Sequence, residues 1–199
     1  MIQINPKRLL GSWKEGWALD IHTVSSTFLG YDEFGHEQFD TVYSPLGEAL
    51  NKLKYKSDKT VLDSIAETVA AFIITKGINQ KISALVIVPP TNTKRPFQPN
   101  IELIKLIGQK LNLPFYVDYI VKVKDMSQLK NIFDPDKRRD ILKDAYKPKD
   151  TSLKGKTVLL FDDLCRSGST LETIANLLIG NVGVTGLYVI TLTKTRVKR

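Results

Sequence analysis

Asp162 and Asp163 stand side by side at the end of the apolar run "TVLLF", and the small-residue loop "LCRSGST" follows them directly. The next stretch, "STLETIANLLI", has helical spacing. Ser167, Gly168 and Ser169 allow successive backbone N–H groups to approach an anion closely, and the helix start behind them adds a favourable dipole. The two acids cannot serve that anion, since like charges repel. They suit hydroxyl groups and a hard cation such as Mg²⁺. A ligand carrying both a ribose and a 5′-phosphate satisfies the whole stretch. The sequence has neither GxxxxGK[ST] nor GxGxxG, so the loop is neither a P-loop nor a dinucleotide fingerprint. The plainer reading makes the acids a solvated turn and Ser167 or Ser169 an ordinary helix cap. Only the upstream segments weigh against it.

Those segments read as alternating strands and helices. "ALVIVPP" is a continuous apolar run ended by prolines, as in a strand buried on both faces. The polar loop "TNTKRPFQPN" leads from it into the helix "IELIKLIGQKL", with Asn100 as the expected N-cap. "FYVDYIV", "TVLLF" and "GLYVITL" are further strands, and a short helix is expected in "DPDKRRDILKDAY". This alternation predicts an α/β fold, a central parallel sheet flanked by helices, over residues 80–195. Two earlier helices are expected. One starts at Pro45 with Leu46, Leu50 and Leu53 on one side; the other carries Val61, Leu62, Ile65, Val69, Phe72 and Ile73 and stops at Gly77. Residues 1–45 are β-like, with a hairpin turn at "YDEFGHEQ", and read as an N-terminal β-rich appendage to the α/β domain of 46–199.

"TVLLFDDLCRSGST" resembles the phosphoribosyl pyrophosphate (PRPP) signature of type I phosphoribosyltransferases, two acids followed four residues later by a small-Gly-x-Thr loop. "ALVIVPPTNTKRPFQPNIELIKLIGQKLNLPF" is similar to the first strand, pyrophosphate loop and helix of the ComF-like branch, with Arg95, Phe97 and Gln98 in an Arg-x-Phe-x-Gln-like run. "MSQLKNIFDPDKRRDILKDAY" resembles that branch's flexible catalytic loop, and "LNKLKYK" is matched more loosely. The resemblance implies a Mg²⁺-dependent phosphoribosyltransferase of nucleotide metabolism. Asp162 and Asp163 would hold the ribose hydroxyls, with the metal held indirectly through those hydroxyls or water. Cys165, Arg166, Ser167, Gly168, Ser169 and Thr170 would form the 5′-phosphate loop. Thr91, Asn92, Thr93, Lys94 and Arg95 would contact pyrophosphate, and residues 122–139, including Lys130, would close as a lid. Asp162, Asp163, Arg95 and Lys130 are the implied catalytic set. A homodimer is also implied.

Two departures matter. Members that take hypoxanthine or guanine usually carry a third acid where this sequence has Arg166, so Arg166 argues against those bases and leaves the acceptor open. ComF-type proteins often begin with a four-cysteine zinc ribbon, which a chain with Cys165 as its one cysteine cannot build. A non-catalytic sensor of PRPP or a nucleotide, or a ComF-type protein of competence and DNA processing, is the alternative. Cys165 is either a small filler or an activated thiol. His22 and His36 lack a second ligand at metal spacing and read as structural or exposed. Trp13, Trp17, Phe28 and Phe39 read as core or dimer-contact residues rather than a base-stacking platform. The tail "TKTRVKR" is a frayed end or a nucleic-acid contact.

With 199 residues, 42% hydrophobic and 25% charged, the chain can bury a substantial core. The formal charge of +8 favours anionic partners, PRPP or single-stranded DNA. No apolar stretch of signal-peptide or membrane-spanning length occurs, which predicts a cytoplasmic protein without a membrane partner.

Overall fold

The computed structural model describes residues 1–90, 96–124 and 145–196. In chain order the strands are β1 (Lys7–Arg8), β2 (Glu15–Ile21), β3 (Thr23–Tyr31), β4 (Glu37–Tyr43), β5 (Ala84–Ile87), β6 (Phe115–Tyr116), β7 (Ile120–Lys122), β8 (Tyr146–Pro148), β9 (Thr157–Cys165) and β10 (Gly186–Lys194). The helices are α1 (Pro45–Tyr55), α2 (Leu62–Thr75), α3 (Pro99–Leu111) and α4 (Ser169–Asn176). A six-stranded sheet runs β1-β2-β10-β9-β5-β6, parallel throughout except for the short edge strand β1.

Strands covered on both faces must be apolar on both faces, and β9 and β10 are. Val158, Leu160, Leu187 and Val189 pack with Leu171, Ile174 and Leu178 on the α4 side. Their neighbours Leu159, Phe161, Tyr188, Ile190 and Leu192 point the other way and meet α1, α2 and α3. The expected α/β layering therefore holds, with three helices on one face and α4 on the other. α4 continues as a π-helical turn, Leu177–Val182, and the expected helix is thus longer and looser than a single α-helix.

Three local expectations change. The run "FYVDYIV" is two strands. β6 joins the main sheet, while β7 pairs antiparallel with β8; between them Tyr119 turns inward and its hydroxyl donates to the Asp150 carbonyl at 2.8 Å. The α3 N-cap is Gln98, with Pro99 in the first turn, and Asn100 is already inside the helix. The N-terminal β segment divides: β1 and β2 belong to the main sheet, and β3 and β4 form a separate two-stranded hairpin. Its turn is built as expected, the Asp32 carboxylate accepting from the N–H groups of Phe34 and His36 and Gly35 adopting φ 77°. The basic C-terminal run is not frayed as far as it is described. Lys194 closes β10, and the Arg196 guanidinium donates to the Val24 carbonyl of the hairpin. The short helix expected near Arg138 lies outside the described residues.

Candidate functional site

Because β2, β10, β9 and β5 are parallel, their carboxyl ends share one edge of the sheet, the usual position for ligands in this architecture. Asp162 and Asp163 lie in the last turns of β9, with Asp162 in register beside Thr191 of β10. Asp162 Oδ1 accepts two hydrogen bonds, from Asn100 Nδ2 at 3.1 Å and from the Asp163 N–H at 2.8 Å. Both donors are neutral. Burial pushes the Asp162 pKa up to about 8, and the neighbouring Asp163 carboxylate adds to the rise. Asp163 has a different partner: Lys54 Nζ of α1 lies 2.7 Å from its Oδ2. Its carbonyl accepts from Thr193 Oγ1 at 3.3 Å, and that hydroxyl also meets His22 Nδ1 at 3.2 Å. Burial, and secondarily the Lys54 charge, lower the His22 pKa.

The loop after the acids is shaped by Gly168, whose φ of 81° lets the chain turn into α4 from the N-cap position. Neither serine caps the helix. Ser167 Oγ and Ser169 Oγ instead meet at 3.0 Å within the loop. Arg166 and Ser167 are exposed, whereas Cys165 is buried beneath Gly168, whose N–H bonds its sulfur. Burial pushes the Cys165 thiol up, which makes it a filler rather than an activated nucleophile. Tyr146, at the start of β8 and 8% exposed, pairs with Thr170 and senses the Asp162 charge. Asp162, Asp163 and Cys165 to Thr170 thus share one strand end. Thr91, Asn92, Thr93, Lys94, Arg95 and Lys130 lie outside the described residues.

Four neighbours were not singled out as site residues from the sequence. Lys54 lies in "LNKLKYK", where only a loose resemblance marked it. Asn100, the expected N-cap, lies inside α3, and its side chain serves Asp162. Tyr146 carried no motif. His22 packs edge-on against Tyr43, as a structural residue would, and it also borders Asp163.

The donor set fits a hard cation. Two carboxylates face the strand end, and Asn100 Oδ1, in a residue 8% exposed, is buried without a partner among the described residues. Among those residues no group of three or more His, Cys, Asp or Glu could hold a metal alone. Mg²⁺ would be shared with ligand oxygens and water, as is usual for this ion.

The family model described as "Phosphoribosyl transferase domain" matches residues 57–199. No curated protein matches the sequence. Among solved structures, a hypoxanthine phosphoribosyltransferase from Staphylococcus aureus is 16% identical, with 67% of this chain and 62% of that chain covered and a TM-score of 0.43. The chain therefore spans less than two thirds of that protein's length. A purine phosphoribosyltransferase from Pyrococcus horikoshii Ot3 is 16% identical, covering 67% and 83%, with a TM-score of 0.39. A hypothetical protein from Neisseria gonorrhoeae with bound ppGpp is 15% identical, covering 73% and 74%, also at 0.39. The family match takes in β5, both acids and the loop to Thr170, so the chain belongs to the phosphoribosyl transferase domain family.

Proposed function

We propose that the chain binds PRPP with Mg²⁺ at this strand end and transfers the phosphoribosyl group to an acceptor, releasing pyrophosphate. One observation carries the reading: the two acids and the Gly168-turned loop share the carboxyl edge of the sheet, with Tyr146 paired to Thr170 of that loop. Asp162 and Asp163 accept from the ribose hydroxyls, and through those hydroxyls or water they hold the metal. Backbone N–H groups from Arg166 to Thr170, with the hydroxyls of Ser167, Ser169 and Thr170, hold the 5′-phosphate. Thr91 to Arg95 meet the pyrophosphate, Lys94 and Arg95 supplying charge, and Lys130 closes over it. The acceptor forms a bond to ribose C1 as the C1–O bond to pyrophosphate breaks, the electron pair leaving with pyrophosphate. Mg²⁺ contributes neutralisation of that developing charge.

The ComF-like branch is supported by the Arg95, Phe97 and Gln98 run and by the sequence "MSQLKNIFDPDKRRDILKDAY". A homodimer is supported by the hairpin, on which Phe28, Leu29, Tyr31, Phe34 and Phe39 are all at least 48% exposed. Light scattering should return twice the 22.4 kDa chain mass. No helix among the described residues is long and apolar enough to cross a membrane. A second reading, a sensor of PRPP or a nucleotide acting in DNA uptake or processing, is favoured by the exposed Arg166 at the loop. In that case single-stranded DNA could be a partner of the basic surface.

Calorimetry of PRPP with Mg²⁺ tests the site. Wild type should bind saturably, and the Asp162→Asn, Asp163→Asn double variant should lose at least about a hundredfold in affinity, the loss of two charge-assisted hydrogen-bond acceptors. No binding to wild type would sink the reading. Sustained pyrophosphate release with some acceptor would then separate the transferase from the sensor.

A further inference from the structure

Lys54 brings an ammonium to the carboxylate pair from a different layer of the molecule. Its Nζ is 2.7 Å from Asp163 Oδ2, and the two side chains are only 19% and 14% exposed. Burial distinguishes this pair from ordinary surface ion pairs, which contribute little. α1 presents it rigidly. Leu46, Leu50 and Leu53 anchor the helix in the core, and Ser44 caps its start through the Gly47 N–H at 3.0 Å. Gly47 rests against the His22 carbonyl so closely that a Cβ there would lie 2.1 Å from the oxygen. Among the described residues no cation pairs directly with Asp162, although the Lys54 charge reaches it; Asn100 and a backbone N–H are its donors, with Tyr146 nearby. His22 borders the Lys54–Asp163 pair, and the Arg166 charge also reaches His22. Two adjacent bare carboxylates would attract a divalent ion directly, but with Lys54 seated the Asp163 charge is already matched.

We propose that Lys54 is a resident counter-ion of Asp163 that keeps a bare divalent cation out of the acid pair and yields when the cation arrives with a phosphorylated ribose. The last clause rests on the ribose-phosphate reading above. The ligand's hydroxyls then take the Asp163 oxygens, and the released ammonium meets the ligand's negative charge. Lys54 is thus a positioning residue acting through Asp163.

The test is direct Mn²⁺ binding to the full chain, followed by electron paramagnetic resonance without any nucleotide. Wild type and Lys54→Arg should bind weakly. Lys54→Met and Lys54→Gln should bind about tenfold or more tightly, since a neighbouring unit charge has been removed. Adding Asp163→Asn to Lys54→Met should abolish the gain. Mn²⁺ binding in both neutral variants as weak as in wild type would overturn the proposal, as would a gain that survives Asp163→Asn. Circular dichroism confirms that each variant is folded, and the two neutral variants guard against one that is not. Calorimetry of wild type with PRPP and Mg²⁺ judges the ribose-phosphate reading separately. Its failure with the Mn²⁺ gain intact would remove the ligand and leave the counter-ion.

Discussion

Asp162 and Asp163 are adjacent in the chain and alike in chemistry, yet the structure places them in different surroundings. Lys54 pairs with Asp163, whereas the half-buried Asp162 accepts from the neutral Asn100 amide and the Asp163 N–H. The Asp162 pKa of about 8 has a consequence for stability. Between its unfolded value near 4 and about 8, the folded chain holds a proton that the unfolded chain has lost, so this group makes stability fall as pH rises. The stabilisation is fully present below the unfolded pKa and is lost as pH approaches the folded one. His22 acts in the opposite sense, because its lowered pKa favours the folded state as pH rises through its titration. Comparing wild type with Asp162→Asn isolates the acid. Melted without divalent cations from pH 6 to 8, wild type should lose on the order of a few °C per pH unit relative to the variant. Parallel profiles would show that Asp162 is ionised throughout. The Asn100 side chain, aimed at Asp162, was legible only as a polar residue near a helix start; which carboxylate it serves depends on a contact 62 residues away.

At the scale of elements, α1 matters more than its length suggests. Its sequence pattern is plain, with Pro45 in the first turn and leucines at helical spacing, and the structure adds a Ser44 cap. The pattern does not reveal that Gly47 allows the helix to close on the end of β2, or that Lys54 then reaches the acids. Gly47→Ala should therefore force α1 away from His22, at a cost of roughly 1–3 kcal/mol for overpacking. A thermal melt should show the loss, and nuclear magnetic resonance shifts at Asp163 should show that the Lys54 contact has moved. Unchanged values in both would mean that the helix adjusts without cost. The split of "FYVDYIV" was equally hidden. Its apolar pattern is continuous enough for one strand, and only the pairing of β7 with β8 interrupts it.

For the whole molecule, the principal surprise is the first 21 residues. An appendage would be dispensable, but β2 lies parallel beside β10, whose residues from Gly186 to Thr193 are all buried. Deleting residues 1–21 should expose the backbone edge of β10 along with Thr191, Leu192 and Thr193. The truncated chain is expected to aggregate or to lose its cooperative melt, which size-exclusion chromatography and circular dichroism would detect. A soluble truncation with a wild-type melt would show that β2 is peripheral after all.

By itself the sequence determined the alternation of strands and helices, the two-faced burial of β5, β9 and β10, and the small-residue loop behind two acids. These are local properties: side-chain periodicity, apolar runs and glycine placement act over a few residues. Tertiary structure decided where β2 joins the sheet and which residues surround the acids. Lys54, Asn100, Tyr146 and His22 come from α1, α3, β8 and the end of β2, and no spacing rule links them. They meet at Asp162 and Asp163 because parallel strands end on one edge, and the layers packed on both faces deliver their side chains to that edge.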